Sequence, residues 1–258
     1  MSNQAEIVVW KFGSDSCTND QGVDWQRLDH YASQFAEQAT QGRAGIGVIS
    51  GAVAVARAML GENYIQEEAI TPQMLATRGN VPFFGAWDQA LASKGLQTGE
   101  LLITHHEIED TREGKTFAGT IGDYIARGWV ALINESGSTG DEETKKLAYG
   151  GDNDGLAEVV ADRISADEIC FMTEVDGVFD VDGKLIRVVN ADNADVALRA
   201  TNKGVYRGTR SKNGKGDMKS KVEAALSAAK KGRIAHIAHA ESSFEDVLNG
   251  KGTLFVAH

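Results

Sequence analysis

With 258 residues, 42% of them hydrophobic, the chain holds enough apolar material for a sizeable core in one large domain or two lobes. A formal net charge of −11, with no long run of one sign, removes the electrostatic attraction that drives binding to nucleic acid or to an anionic membrane surface. Cys17 and Cys170 are fewer cysteines than a secreted scaffold of this size would carry. The opening MSNQAEIVVWKF has no leader pattern, and no stretch reaches the ~18 apolar residues of a membrane span, so the expectation is a cytoplasmic protein.

In chain order, short apolar runs alternate with longer amphipathic segments. Ile7 to Phe12 reads as a strand, followed by a turn rich in small polar residues and a helix from about Asp24 to Gln41. Gly45 to Ile49 is a second strand, ending at Ser50-Gly51 and feeding the small-residue helix AVAVARAML. Gln73 to Leu96 contains a helix, Leu101 to Thr104 a strand, Arg112 to Arg127 a helix and Trp129 to Ile133 a strand. A helix over Asp154 to Ile164 precedes a strand at Glu168 to Thr173. The helix Lys219 to Lys231 is followed by short strands at Ile234 to Ala238 and Thr253 to Val256. Strands separated by helices predict an α/β domain on a mostly parallel sheet, because parallel neighbours need crossover connections. Pro72 and Pro82 are the only prolines against 29 glycines, so turns rely on glycine, several directly after strands. Ligands of open α/β sheets bind at that end of the strands. No linker divides the chain, which reads as a single domain over residues 1–258.

Five segments carry candidate chemistry. Lys11-Phe12-Gly13-Ser14 places a lysine beside a glycine turn whose N–H groups can face a phosphate, or is simply a solvated lysine at a strand end. Ile49-Ser50-Gly51-Ala52 offers a hydroxyl and free N–H groups for an anion, or an ordinary helix cap. Gly150-Gly151-Asp152-Asn153-Asp154 suits a site that orients cations, lysine ammonium groups or magnesium through water, and equally an acidic helix N-terminus. At Phe171 to Phe179 a buried strand breaks into the acidic turn Thr173-Glu174-Val175-Asp176-Gly177, against which a nucleotide's base and ribose could lie. Gly214-Lys215-Gly216-Asp217-Met218-Lys219-Ser220-Lys221 opens a helix with an anion nest and mobile positive charge, or is a flexible basic loop. It is not a P-loop, because Gly208 and Gly214 are one residue too far apart. His105-His106 lacks the HExxH or CxxC spacing of a zinc site, so no metal ligands are assigned.

The order VVWKFGS, ISGA, INES, GDND, MTEVDGVF, GKGDMKSK, GTLF resembles the glutamate 5-kinase branch of the amino acid kinase superfamily over nearly the whole chain. That branch runs VxKxGT, TSGA, INEN, GDND, LTDxxGLY, GTGGMxTK, GTLF, and GDND after INE is its most specific element. The resemblance implies a three-layer αβα sandwich of the carbamate kinase-like type with a mostly parallel central sheet. It implies an acceptor-binding N-terminal part and a nucleotide-binding C-terminal part from about residue 165. It also implies ATP and Mg2+, phosphorylation of the L-glutamate side-chain carboxylate to γ-glutamyl phosphate (the first step of proline biosynthesis), and a homo-oligomer, dimer or tetramer.

Matched position by position, the resemblance makes Lys11, Lys221 and Asp154 catalytic, the lysines neutralising the transferring phosphoryl and Asp154 organising them. Ser50, Gly51, Asn134, Asn153 and Asp141 become acceptor-binding. Lys11, Gly13, Thr173, Glu174, Gly214, Lys215, Gly216, Asp217, Met218 and Lys221 become nucleotide-binding. A carboxylate acceptor is already ionised at neutral pH, so the absence of a histidine or cysteine motif agrees with this chemistry. Four departures stand out. Ser136-Gly137 occupies the place of the branch's acceptor-binding aspartate, which leaves Asp141 or Glu142 to take that role. Glu174 replaces an aspartate, Asp217 puts a carboxylate where phosphates would lie, and the sequence ends at GTLFVAH, so the branch's C-terminal PUA domain is expected to be missing. Two other readings stay open: a kinase of this fold acting on another small acid, and a nucleotide-binding regulator without catalysis.

Overall fold

The computed structural model describes residues 5–108, 112–137, 153–202 and 218–257. In chain order these form β1 (Glu6–Phe12), a 3-10 turn (Ser14–Ser16), β2 (Thr18–Asn19), β3 (Gly22–Val23), α1 (Trp25–Thr40) and β4 (Arg43–Ile49). There follow α2 (Ala52–Leu60), α3 (Glu62–Glu67), α4 (Pro72–Ser93), β5 (Thr98–Ile103), α5 (His105–Ile108), α6 (Arg112–Ala126) and β6 (Val130–Glu135). The remainder comprises α7 (Asn153–Arg163), β7 (Glu168–Thr173), β8 (Val188–Val189), α8 (Ala194–Asn202), α9 (Met218–Lys230), β9 (Ile234–His239), α10 (Phe244–Leu248) and β10 (Thr253–Phe255).

Eight strands form one sheet in the order β5-β6-β4-β1-β7-β9-β10-β8. All neighbours are parallel except β9 and β10. Because β1 sits between β4 and β7 with helices on both faces, it must be apolar on both sides, which is why it reads Ile-Val-Val-Trp rather than alternating. Ile7 and Val9 face one core with Leu156 and Val160 of α7 and Val222 and Ala225 of α9. Val8, Trp10 and Phe12 face the other, with Leu28, Tyr31 and Phe35 of α1, Phe83 and Trp87 of α4, and Phe244 of α10. Trp10 stacks on Phe244 at 3.7 Å between ring centres, and its indole N–H donates to Gln38 Oε1 at 2.9 Å, so its one polar group is paired. This is the three-layer sandwich expected from the sequence.

Helix starts follow their caps. The Asp24 carboxylate accepts from Arg27 N at 3.1 Å to open α1, and the Thr71 hydroxyl accepts from Met74 N at 3.2 Å ahead of Pro72 to open α4. The β5 strand begins three residues earlier than its apolar run, since Thr98, Gly99 and Glu100 are held by pairing to β6 rather than by hydrophobicity. The short elements β2, β3, α3, α10 and β8 carry too few periodic residues to stand out in the sequence.

Candidate active site

Lys11 leaves the carboxyl end of β1 on the face that carries Ile7 and Val9, and so points at α7. There its Nζ lies 2.5 Å from Asp154 Oδ1, and Lys221 Nζ lies 3.2 Å from Oδ2 of the same carboxylate. Ser220 Oγ donates to that Oδ2 at 2.8 Å. All three charged side chains are shielded, with 2%, 0% and 8% of the Lys11, Asp154 and Lys221 side-chain surfaces exposed. Among the described residues, two ammonium groups share this one carboxylate in a low-dielectric setting, where charge acts on an anion far more strongly than on the surface. Asp154 lies in the first turn of α7, where the helix's free N–H groups favour a carboxylate.

One residue earlier, Asn153 turns to the neighbouring strands. Its Nδ2 donates to the Ile49 carbonyl at 2.8 Å and to Asn134 Oδ1 at 3.2 Å. Ser50 follows Ile49 directly, and its hydroxyl is 3.1 Å from Ser14 Oγ in the turn after β1. Gly51 has φ 153°, and a Cβ there would sit 2.9 Å from Phe83 Cζ, so both backbone and packing require glycine before α2. Gly137 also answers to packing: a Cβ would lie 2.4 Å from Ala76 Cβ on α4. The departure at Ser136-Gly137 thus lets the chain leave β6 against that helix. The turn starts with Ser136 N donating to the Ile103 carbonyl at 2.9 Å.

The nucleotide candidates Gly13, Thr173 and Glu174 gather at the ends of β1 and β7, which are paired strands. Gly13 precedes the 3-10 turn, and a Cβ added there would come 4.0 Å from Lys11 Nζ. Glu174 accepts from Ser16 Oγ at 3.1 Å and from both terminal nitrogens of Arg27, at 3.3 and 3.0 Å. Its longer reach than an aspartate's is therefore spent on a fork with α1. Met218 and Lys221 open α9. Asp141, Glu142, Gly214, Lys215, Gly216, Asp217 and the Gly150 to Asp152 stretch lie outside the described residues.

Sequence reasoning missed Ser16, Arg27, Asn80, Glu100 and the contacts of Ser14 and Ser220. The Lys11-Phe12-Gly13-Ser14 and GKGDMKSK motifs contained Ser14 and Ser220, so a signal for both existed; the others belong to no motif. Asp154, already engaged by two ammonium groups and a hydroxyl, does not fit as a ligand for Mg2+. The ion would instead travel on nucleotide phosphates, as magnesium commonly does.

A model of the amino acid kinase family matches residues 6–239. The chain belongs to the amino acid kinase family. Among curated relatives, glutamate 5-kinase of Acinetobacter baylyi is 31% identical over 259 residues, covering 96% of this chain and 66% of the relative. Glutamate 5-kinase of a Marinomonas species is 31% identical over 243 residues, covering 91% and 62%. The chain thus spans about two thirds of the length of the curated relatives it matches. Solved structures of N-acetylglutamate synthase from Neisseria gonorrhoeae, with coenzyme A and N-acetylglutamate, and of UMP kinase from Ureaplasma parvum resemble it with TM-scores of 0.67 and 0.61. Each is 16% identical; the first match covers 98% of this chain and 60% of the synthase, the second 97% and 99% of the kinase. At that identity the likeness shows a shared fold alone. Among the described residues, no helix of this family member is long and apolar enough to cross a membrane.

Proposed function

We propose that this protein transfers the γ-phosphoryl group of ATP to the side-chain carboxylate of L-glutamate, with the acceptor held by the N-terminal part and the nucleotide by the part from about residue 165. The carrying observation is the adjacency of Asn153 and Asp154 at the start of α7: one amide turns to the Ile49-Ser50 strand end, the next carboxylate turns to two lysines. A phosphoryl group between those two neighbours would meet an acceptor on one side and neutralising charge on the other. The likeness to glutamate 5-kinases over 96% of the chain supports glutamate as the acceptor.

A carboxylate oxygen of the acceptor attacks the γ-phosphorus, and the bond from that phosphorus to the bridging oxygen breaks. ADP departs with the electron pair, leaving an acyl phosphate. No proton moves, so no general base is needed. Lys11 and Lys221 offset the charge on the transferring oxygens, and Asp154 keeps both ammonium groups aimed. Mg2+ supplies further charge neutralisation when it arrives with the nucleotide.

The test is ATP turnover with magnesium in the presence and absence of L-glutamate, with hydroxylamine trapping the acyl phosphate. Glutamate-dependent hydroxamate is the expected result. ATP turnover driven by a different small acid, with none for glutamate, would overturn the acceptor assignment and keep the fold's chemistry. ATP bound but never consumed with any acceptor would make the protein a nucleotide-binding regulator.

A further inference from the structure

From Asn153 a line of side-chain amides runs away from the lysines and ends on a carboxylate. Asn153 Nδ2 donates to Asn134 Oδ1 at 3.2 Å, Asn134 Nδ2 to Asn80 Oδ1 at 3.3 Å, and Asn80 Nδ2 to Glu100 Oε2 at 2.8 Å. The four residues come from α7, β6, α4 and β5. Parallel pairing sets Leu102 opposite Asn134, so Glu100, two residues earlier on β5, shares the face that α4 covers.

An asparagine amide is a donor at one end and an acceptor at the other, with nearly the same shape either way, so neighbours decide its direction. Here both termini agree. The Ile49 carbonyl can only accept, at 2.8 Å from Asn153 Nδ2, and an ionised Glu100 carboxylate can only accept from Asn80. Glu135 N donating to Asn134 Oδ1 at 2.9 Å gives the middle link the same sense. Every NH2 group is thereby turned into the chain. Asn153 Oδ1 is the atom left over: it has no partner among the described residues, and its amide is held against Ile49, the residue before Ser50-Gly51.

Glu100 is an expensive way to close this line. Its Oε1 is shut off from solvent with no hydrogen-bond partner among the described residues, and burial pushes its carboxyl above the ordinary value, against the opposing effect of the Asn80 bond. An apolar residue facing α4 would avoid both costs.

We propose that Glu100 and Asn80 are positioning residues for the acceptor: they hold the Asn134 and Asn153 amides so that the pocket presents a carbonyl oxygen, and thereby select acids that carry an ammonium group. The inference rests on the kinase reading above. An ammonium donates to that oxygen, whereas a dicarboxylate of the same length without the amine leaves it unpaired, and a site built to bond a group discriminates strongly against the analogue that lacks it.

The experiment compares L-glutamate with glutarate in the hydroxamate assay for the wild type, Glu100→Leu and Glu100→Gln. Wild type is expected to favour glutamate. Glu100→Leu should lower the glutamate-to-glutarate ratio of kcat/KM by about ten-fold, through a raised KM for glutamate, with the KM for ATP unchanged. Glu100→Gln should restore most of that ratio, because its Oε1 can still accept from Asn80. A parallel loss on both acceptors, or an unchanged ratio in Glu100→Leu, would assign Glu100 a structural role and overturn the inference. If the wild type gives no hydroxamate, the kinase reading itself fails. The inference is then decided by calorimetric binding of the two acids beside a non-hydrolysable ATP analogue: retained selectivity that Glu100→Leu erases upholds it. Equal affinities, or no binding, end it.

Discussion

Asp154 Oδ2 lies 3.2 Å from Lys221 Nζ, a contact between residues 67 apart in sequence that joins the first turn of α7 to the first turn of α9. The other oxygen of the same carboxylate is held by Lys11 from the central strand. One buried acid thus fixes two bases that approach from opposite sides.

Lys221→Ala removes one of the two ammonium groups and leaves Asp154 paired with Lys11 and Ser220. Turnover should fall by ~10²–10³-fold, the usual cost of losing one group that stabilises developing charge, while nucleotide affinity changes by only a few-fold. Initial rates in the hydroxamate assay and calorimetry with an ATP analogue check the two parts. A near wild-type rate would remove Lys221 from the phosphoryl site.

Asp154→Asn leaves two buried ammonium groups facing a neutral amide. Breaking a buried pair on one side costs about 3–5 kcal/mol, which for a chain of this length is a fall of roughly 10 °C in Tm. Thermal unfolding followed by circular dichroism measures it. A Tm within a degree or two of wild type would mean that water reaches the lysines and that the positive charge is not held in a shielded site.

Gly51→Ala puts a side chain where φ is 153° and where Phe83 Cζ would be 2.9 Å away. Backbone strain of this kind costs about 1–3 kcal/mol, and relief by shifting the turn would displace Ser50. The expected outcome is a lower Tm together with a raised KM for the acceptor. Loss of stability with an unaltered KM would separate the Ser50 turn from acceptor binding.

Both cysteines are fully buried, and burial pushes the Cys17 and Cys170 thiols well above their ordinary value, with nearby Lys11 and Arg27 only partly opposing this at Cys17. A thiol reacts as its thiolate, so both should resist iodoacetamide at pH 8 in the folded protein and react promptly in denaturant. Intact mass after timed alkylation reads this directly. Rapid native labelling of Cys17 would show that the turn after β1 opens.

The amino-acid sequence alone determined the alternation of strands and helices, since apolar runs bounded by glycine need only local hydrophobicity and backbone geometry to be read. It also marked Lys11, Asp154 and Lys221, because each lies in a short motif at a strand or helix end. What it could not contain was which oxygen each lysine meets, since that follows from strand order, and strand order is set by crossovers packing two faces of one sheet. At Ser136-Gly137 the sequence shows only the absence of an aspartate, whereas the close approach of Gly137 to Ala76 appears only in three dimensions. Asn80 and Glu100 carried no motif at all. Only the register of β5 on β6 and the placement of α4 over that face bring them into line with Asn134 and Asn153, because side-chain hydrogen bonds form at distances that nothing but the tertiary structure can set.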